Sequence, residues 1–180
     1  MIKNLKEKHL FTCEEKLKFL GQGEWVNEPD EVTFDYNGYR CQILRIFVQE
    51  PYAKEEHWFG GYLCGYVYIP NDHIYFGKDY HDMSIDCHGG LTYSEYQSDN
   101  SYKIGFDCGH CMDYLPSMDH LKKTLPSLIA ITEKYAHLKK DMEDHYLFNP
   151  SYKNIEFCMK ECASIVDQLI DIKNSAKNVV

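Results

Sequence analysis

The chain predicts an α+β domain, a mostly antiparallel sheet of about five or six strands with N-terminal and C-terminal helices packed on it. Three observations carry this. Between Glu31 and Phe106, short runs of alternating apolar and polar residues are bounded by Gly, Pro, Asn and Asp. From Ile155 to Ile172, apolar residues recur at helical spacing. Strands come first and helices last, the order in which helices collect on one face of a sheet. At 180 residues the chain fits one domain, with a helical N-terminus over 1–22, a sheet carrying the candidate site over 31–113 and a helical part over 117–175.

Each element has its own warrant. Leu5, Leu10, Leu17 and Leu20, separated by charges, suggest an amphipathic helix that ends near Gly21 and Gly23. Val32, Phe34 and Tyr36 alternate with polar residues up to Asn37-Gly38, the pair a tight hairpin turn prefers, and a second β-rich run continues to Val48. Residues 58–69 form the next strand, with Tyr62, Cys64, Tyr66 and Tyr68 on one face and Leu63, Gly65, Val67 and Ile69 on the other, stopped by Pro70. Short strands are expected at 83–87 and 102–106, with a polar loop at 97–101 between the two halves of the site. Residues 125–138 are apolar at helical spacing, and a longer C-terminal helix follows Pro150, with Ser151 as its expected cap.

Composition excludes several functions. A formal charge of -9, with Arg40 and Arg45 the sole arginines, argues against a nucleic-acid partner, whose phosphates require clustered cations. The N-terminus has no uninterrupted apolar stretch, so no signal peptide or membrane span is expected, and the reading is a soluble cytoplasmic protein. Its eight cysteines are then thiols and not a disulfide framework. The phosphate-binding loop, nucleophile elbow, zincin helix and dinucleotide fingerprint are all absent from the sequence.

Reactive side chains concentrate between Ile85 and Asp113. Cys108-Gly109-His110-Cys111 matches the active-site tetrapeptide of disulfide isomerases, and a helix N-terminus behind it would lower the first thiol's pKa. Yet Asp107 precedes it, and the following residues read as helix where that fold needs strands. A zinc reading takes Cys108, His110, Cys111 and Asp113, with Cys87 or His88 completing four ligands. Against it, only one such cysteine pair is present, and free cysteines are commonly small buried hydrophobes. A third reading keeps His88, Asp107, His110 and Asp113, in which two carboxylates orient two imidazoles for acid–base work near neutral pH. The same residue types also build polar networks that only lock strands to a helix. Gly89 and Gly90 would let a ligand approach the backbone, with Thr92, Tyr93, Tyr80 and Lys78 as further ligand contacts. An aromatic belt running from Tyr52 and His57 to Tyr114 reads mainly as half-buried sheet faces, and secondarily as a surface for flat rings.

Two blocks, His88-Gly89-Gly90-Leu91-Thr92-Tyr93-Ser94 and Ile104-Gly105-Phe106-Asp107-Cys108-Gly109-His110 ending at Asp113, resemble a family of small uncharacterised proteins found largely in bacteriophage and prophage genomes. The resemblance extends over residues 61–169 and takes in Glu161-Cys162. It implies no established activity. In that family position 111 is often small, which gives weight to His88, Asp107, His110 and Asp113 over the sulfur readings. By analogy it implies an accessory protein that binds a small polar ligand, nucleotide derivatives foremost, and evades host defence by sequestering it. The alternatives are a hydrolase acting on that ligand through the His/Asp cluster, and a protein-interaction module in which the cluster is structural or holds zinc. No cofactor is expected, the enzyme question stays open, and a homo-oligomer is compatible with all three.

Overall fold

Asn37 and Gly38 join strands β2 (Glu31–Tyr36) and β3 (Tyr39–Gln49) in a register that pairs Tyr36 with Tyr39. Their φ angles are 48° and 86°, the left-handed pair a two-residue hairpin turn needs and Asn-Gly adopts at low cost. The computed structural model describes residues 1–49, 58–110, 112–124 and 150–177. Expectations for residues 125–138, Cys111, Tyr52 and His57 lie outside these.

Strands β1 (Ile2–Lys8), β4 (Trp58–Ile69), β5 (Tyr93–Tyr96) and β6 (Tyr102–Asp107) complete a six-stranded sheet in the order β1-β2-β3-β4-β6-β5. Every neighbouring pair is antiparallel. Among the described residues, three α-helices accompany it: α1 (Cys13–Leu20), α2 (Pro116–Thr124) and α3 (Ile155–Lys177). The α+β class and the antiparallel sheet therefore stand. Among the described residues, no helix is long and apolar enough to cross a membrane.

Three local expectations are corrected. The first residues form an edge strand and not a helix. All of β1 is exposed, and Leu5 and Leu10 stay 49% and 57% exposed, so no apolar stripe exists there to drive helix packing. The helix starts only where a cap allows it: Thr12 accepts from the Glu15 amide at 3.2 Å, and the Glu15 carboxylate accepts from the Thr12 amide at 2.7 Å. Residues 83–87 are not a strand. Met83, Ile85 and Cys87 do pack on the core in alternation, but the backbone of Asp86 bonds to the Gln168 side chain, at 2.8 Å through its N–H and 2.7 Å through its carbonyl. The sheet edge goes to β5 instead, entered through the Thr92 amide, which donates to the Gly105 carbonyl at 2.9 Å. Finally, Asn154 and not Ser151 caps α3, its Oδ1 accepting from the Phe157 amide at 3.0 Å.

Helix α3 lies across one face of the sheet. Its buried stripe of Cys158, Cys162, Ile165, Val166 and Leu169 meets Val32, Phe34, Ile43, Leu63, Val67, Ile104 and Phe106 from the strands. Gly65 is the point of closest approach. A Cβ there would lie 2.4 Å from the Phe106 ring and 3.0 Å from Cys162 Sγ, so only glycine leaves room for both. The opposite face carries the tyrosines of β4 and Tyr93 of β5, whereas Tyr96 pairs with Tyr102 on the α3 side. Among them Lys103 is 8% exposed, its Nζ 4.1 Å from the Tyr66 ring centroid and 5.3 Å from that of Tyr93. Burial first, and the Arg40 charge second, hold this ammonium below the ordinary lysine range.

At one end of the sheet lies a buried charge network that the sequence did not announce. Lys16 Nζ is 2.8 Å from Asp30 Oδ1 with neither side chain exposed, and Arg45 Nε reaches the same oxygen at 3.0 Å. The remaining Arg45 donors go to Glu28 at 2.9 Å, the Gly61 carbonyl at 3.0 Å and Tyr152 Oη at 2.7 Å. Asp30 Oδ2 accepts from the amides of Leu10 and Phe11 at 2.9 and 3.1 Å. This network ties the segment entering α3 to the sheet, because Glu28 also accepts from Tyr152 Oη and from the Ile155 amide. That segment in turn borders the candidate site.

Candidate functional site

The site forms where β6 ends. Beyond Asp107 the chain makes a tight turn in which the Asp113 amide donates to the His110 carbonyl at 2.9 Å, while the His110 amide donates to Asp113 Oδ2 at 3.0 Å. Asp107 closes the first part of the turn by accepting from the Gly109 amide at 2.9 Å. These contacts put the Asp113 carboxylate beneath the His110 ring, and only 1% of that side chain is exposed. A single bridge from Asp113 to Ser151, with the Tyr114 amide donating to the Ser151 carbonyl at 3.0 Å, docks the turn on the segment before α3.

His88 reaches this carboxylate from a different direction. It lies in the turn between residues 83–87 and β5. Its amide donates to Glu161 Oε2 on α3 at 2.8 Å, and its ring meets Phe157 edge-on at 5.2 Å. The ring Nε2 is then 3.0 Å from both oxygens of Asp113. An ionised carboxylate only accepts, so Nε2 carries the proton in this pair. The His88 and His110 rings stand edge to face, with centroids 5.4 Å apart.

His110 is the unsatisfied member. Its Nδ1 is buried with no hydrogen-bond partner among the described residues, although it lies 3.4 Å from Asp113 Oδ2 and 3.8 Å from Asp107 Oδ1. Gly89 lies against this ring. A Cβ on Gly89 would come within 2.0 Å of His110 Cε1, and the residue has a φ of 66°, so both space and backbone require glycine. Lys153 Nζ lies 3.9 Å from Asp113 Oδ1 and brings a positive charge to that carboxylate.

Of the residues expected from sequence, His88, Asp107, His110 and Asp113 meet here, with Gly89 packed against them. Gly90 follows in the same turn, its amide donating to the Cys87 carbonyl at 3.0 Å. Thr92 leads into β5. Tyr93 pairs with Gly105, on the sheet face that also carries Asp107, two residues further along β6. Lys78 belongs to the other end of β6, at Tyr102, and Tyr80 to the middle of the β5–β6 pair, at Ser94. The Tyr80 amide donates to Ser94 Oγ at 3.0 Å, and the Lys78 carbonyl accepts from Tyr102 Oη.

Among the described residues, Cys87 and Cys108 do not join the cluster. Cys108 is 2% exposed and turned into the core, its Sγ 3.7 Å from that of Cys158 on α3. The contact with Cys158 and then burial push its thiol far above the ordinary range. It is also eight residues before α2, so no helix N-terminus lies behind it and the premise of the redox reading fails. Cys87 is pushed up to about 12, by burial first and by the carboxylates of Glu161 and Asp86 next. A four-ligand zinc site through Cys108 is therefore not what the chain builds.

Sequence reasoning did not single out Lys153 or Phe157. Neither carries a local motif, and both arrive by way of α3 or the segment entering it. Glu161 was within reach, since the phage-type resemblance already included it. No family model, no curated protein and no solved structure matches the chain.

Proposed function

We propose that the protein binds a small polar ligand at the His88–His110–Asp113 cluster, with nucleotide derivatives as the leading class and sequestration from a host-defence pathway as the role. The observation that supports this is the buried, unpartnered Nδ1 of His110. Leaving a buried polar atom unsatisfied costs about 1–3 kcal/mol, and a structural network would ordinarily settle it within its own hydrogen bonds. A ligand donor or acceptor completes it. Gly89 offers exposed backbone to that ligand, and Gly90 and Tyr93 are taken as its neighbours. Thr92, Tyr80 and Lys78 are the further contacts in this reading.

A hydrolytic reading is favoured by one further contact, the Asp113–His88 pair. A carboxylate bonded to one ring nitrogen fixes the tautomer and leaves the other nitrogen to accept a proton from an attacking water. A panel of cyclic dinucleotides and ADP-ribose derivatives, titrated calorimetrically against wild type and His110→Ala, tests both. A binder shows saturable heat that weakens in the variant without new products by mass spectrometry. A hydrolase shows product that disappears in the variant. Absence of binding and turnover across the whole panel sinks the nucleotide reading.

A further inference from the structure

We infer that His88, His110 and Asp113 form a binding site for one divalent transition-metal cation, of the borderline class that imidazole nitrogen and carboxylate oxygen select together. The inference rests on the location of the proposed ligand site and adds what that site would use to hold an anionic ligand.

The donor atoms are already nearly in place. Each residue offers one, and all three lie within 4.8 Å of one another. His88 Nε2 is 3.0 Å from the Asp113 oxygens and His110 Nδ1 is 3.4 Å from Oδ2. Ligands bound at zinc–nitrogen and zinc–oxygen distances in a tetrahedron are spaced about 3.4 Å apart, so the cluster needs to open only slightly. A cation also resolves what hydrogen bonding does not. It gives His110 Nδ1 a partner, and it takes the place of the Nε2 proton that His88 shares with Asp113.

The support around the donors is directional. Gly89 packs against the His110 ring, Glu161 fixes the His88 amide at 2.8 Å, and the His110 amide locks Asp113 at 3.0 Å. Asp107, 3.8 Å from His110 Nδ1, adds negative charge at the rim. Lys153, 3.9 Å from Asp113, opposes a cation and must turn outward when one binds. Two histidines and one carboxylate leave coordination positions for a ligand oxygen or water, as in catalytic and not structural sites. The bound class is then an oxyanion such as a phosphoester.

The test is calorimetric titration of zinc, cobalt and manganese chlorides, singly, into the chelator-treated full-length chain, with the visible spectrum of the cobalt form. One equivalent should saturate the protein and raise its unfolding temperature. His88→Ala and His110→Ala should each weaken binding by more than about tenfold, the low end of what even outer-shell changes cost. His88→Gln, with circular dichroism as the folding control, covers the case in which an alanine variant unfolds. Lys153→Ala should bind more tightly. The assignment is overturned by the absence of saturable binding, by binding that survives both histidine variants, or by a thiolate charge-transfer band that Cys108→Ser removes. Running the nucleotide panel on both the chelator-treated and the metal-loaded protein separates the two ideas: panel binding without metal affinity sinks the cation site alone, and metal affinity with no panel member bound by either form sinks the nucleotide reading alone.

Discussion

Asp113 holds the His88 ring with both of its oxygens, each 3.0 Å from Nε2, and holds the His110 amide with one of them. Asp113→Ala leaves two donors without an acceptor, which costs about 1–3 kcal/mol of stability. Asp113→Asn keeps one carbonyl oxygen and should cost less. Urea unfolding of the two variants measures the difference, and equal losses would show that Asp113 contributes by packing alone.

Gly89→Ala and Gly90→Ala differ in a way that isolates the His110 contact. Both backbones are left-handed, with φ of 66° and 84°, so both variants carry strain of about 1–2 kcal/mol. Only at position 89 does the new methyl meet a ring, whereas nothing lies within 4 Å at position 90. Gly89→Ala should therefore be the less stable and should move the His110 ring resonances in an NMR spectrum. Identical stabilities and unmoved resonances would contradict the ring contact.

Asp30 neutralises Lys16 and Arg45 in a region with no exposed side chain among the three. Asp30→Ala takes the carboxylate from buried Lys16 and leaves Arg45 with Glu28 alone, and should cost about 3–5 kcal/mol. Chemical denaturation gives the number. A loss under about 1 kcal/mol, the range of exposed pairs, would mean that water reaches this network.

Lys103 makes stability depend on pH at the alkaline end. Its folded-state pKa is lowered by burial, so between that value and the unfolded lysine pKa the unfolded chain binds more protons. Stability rises with pH across that window, because the penalty for burying the charge is present at neutral pH and is relieved above it. Relative to Lys103→Met, the wild type should gain stability as pH is raised toward 10.5, the ordinary lysine value. Parallel stability curves for the two proteins would remove the effect.

How much of this was legible follows from how local each signal is. Asn37-Gly38, the alternation in β4 and the helical spacing of α3 are each written within one element, and each is where the sequence places it. β1 was misread because a strand with every residue exposed has no alternating burial, and Lys and Glu between leucines fit a helix as well. The edge strand was placed at 83–87, when its apolar alternation instead serves α3. Pairing with β6 at 93–96 is a long-range choice that no local pattern encodes. His88, Asp107, His110 and Asp113 were readable as a group because two short blocks contain them. Their geometry was not, since Glu161 reaches His88 from 73 residues away and Lys153 arrives with the segment entering α3.

The placement of α3 bears on how the chain is made. It is the last described element to leave the ribosome, yet it covers Phe34, Ile43, Leu63, Val67 and Phe106. Until it emerges, the nascent sheet presents a bare apolar face and can gain nothing from the interlocking at Gly65. Synthesis arrested before Ile155 would thus yield a sticky intermediate suited to chaperone capture, and the His88–His110–Asp113 cluster would mature only after translation passes Glu161.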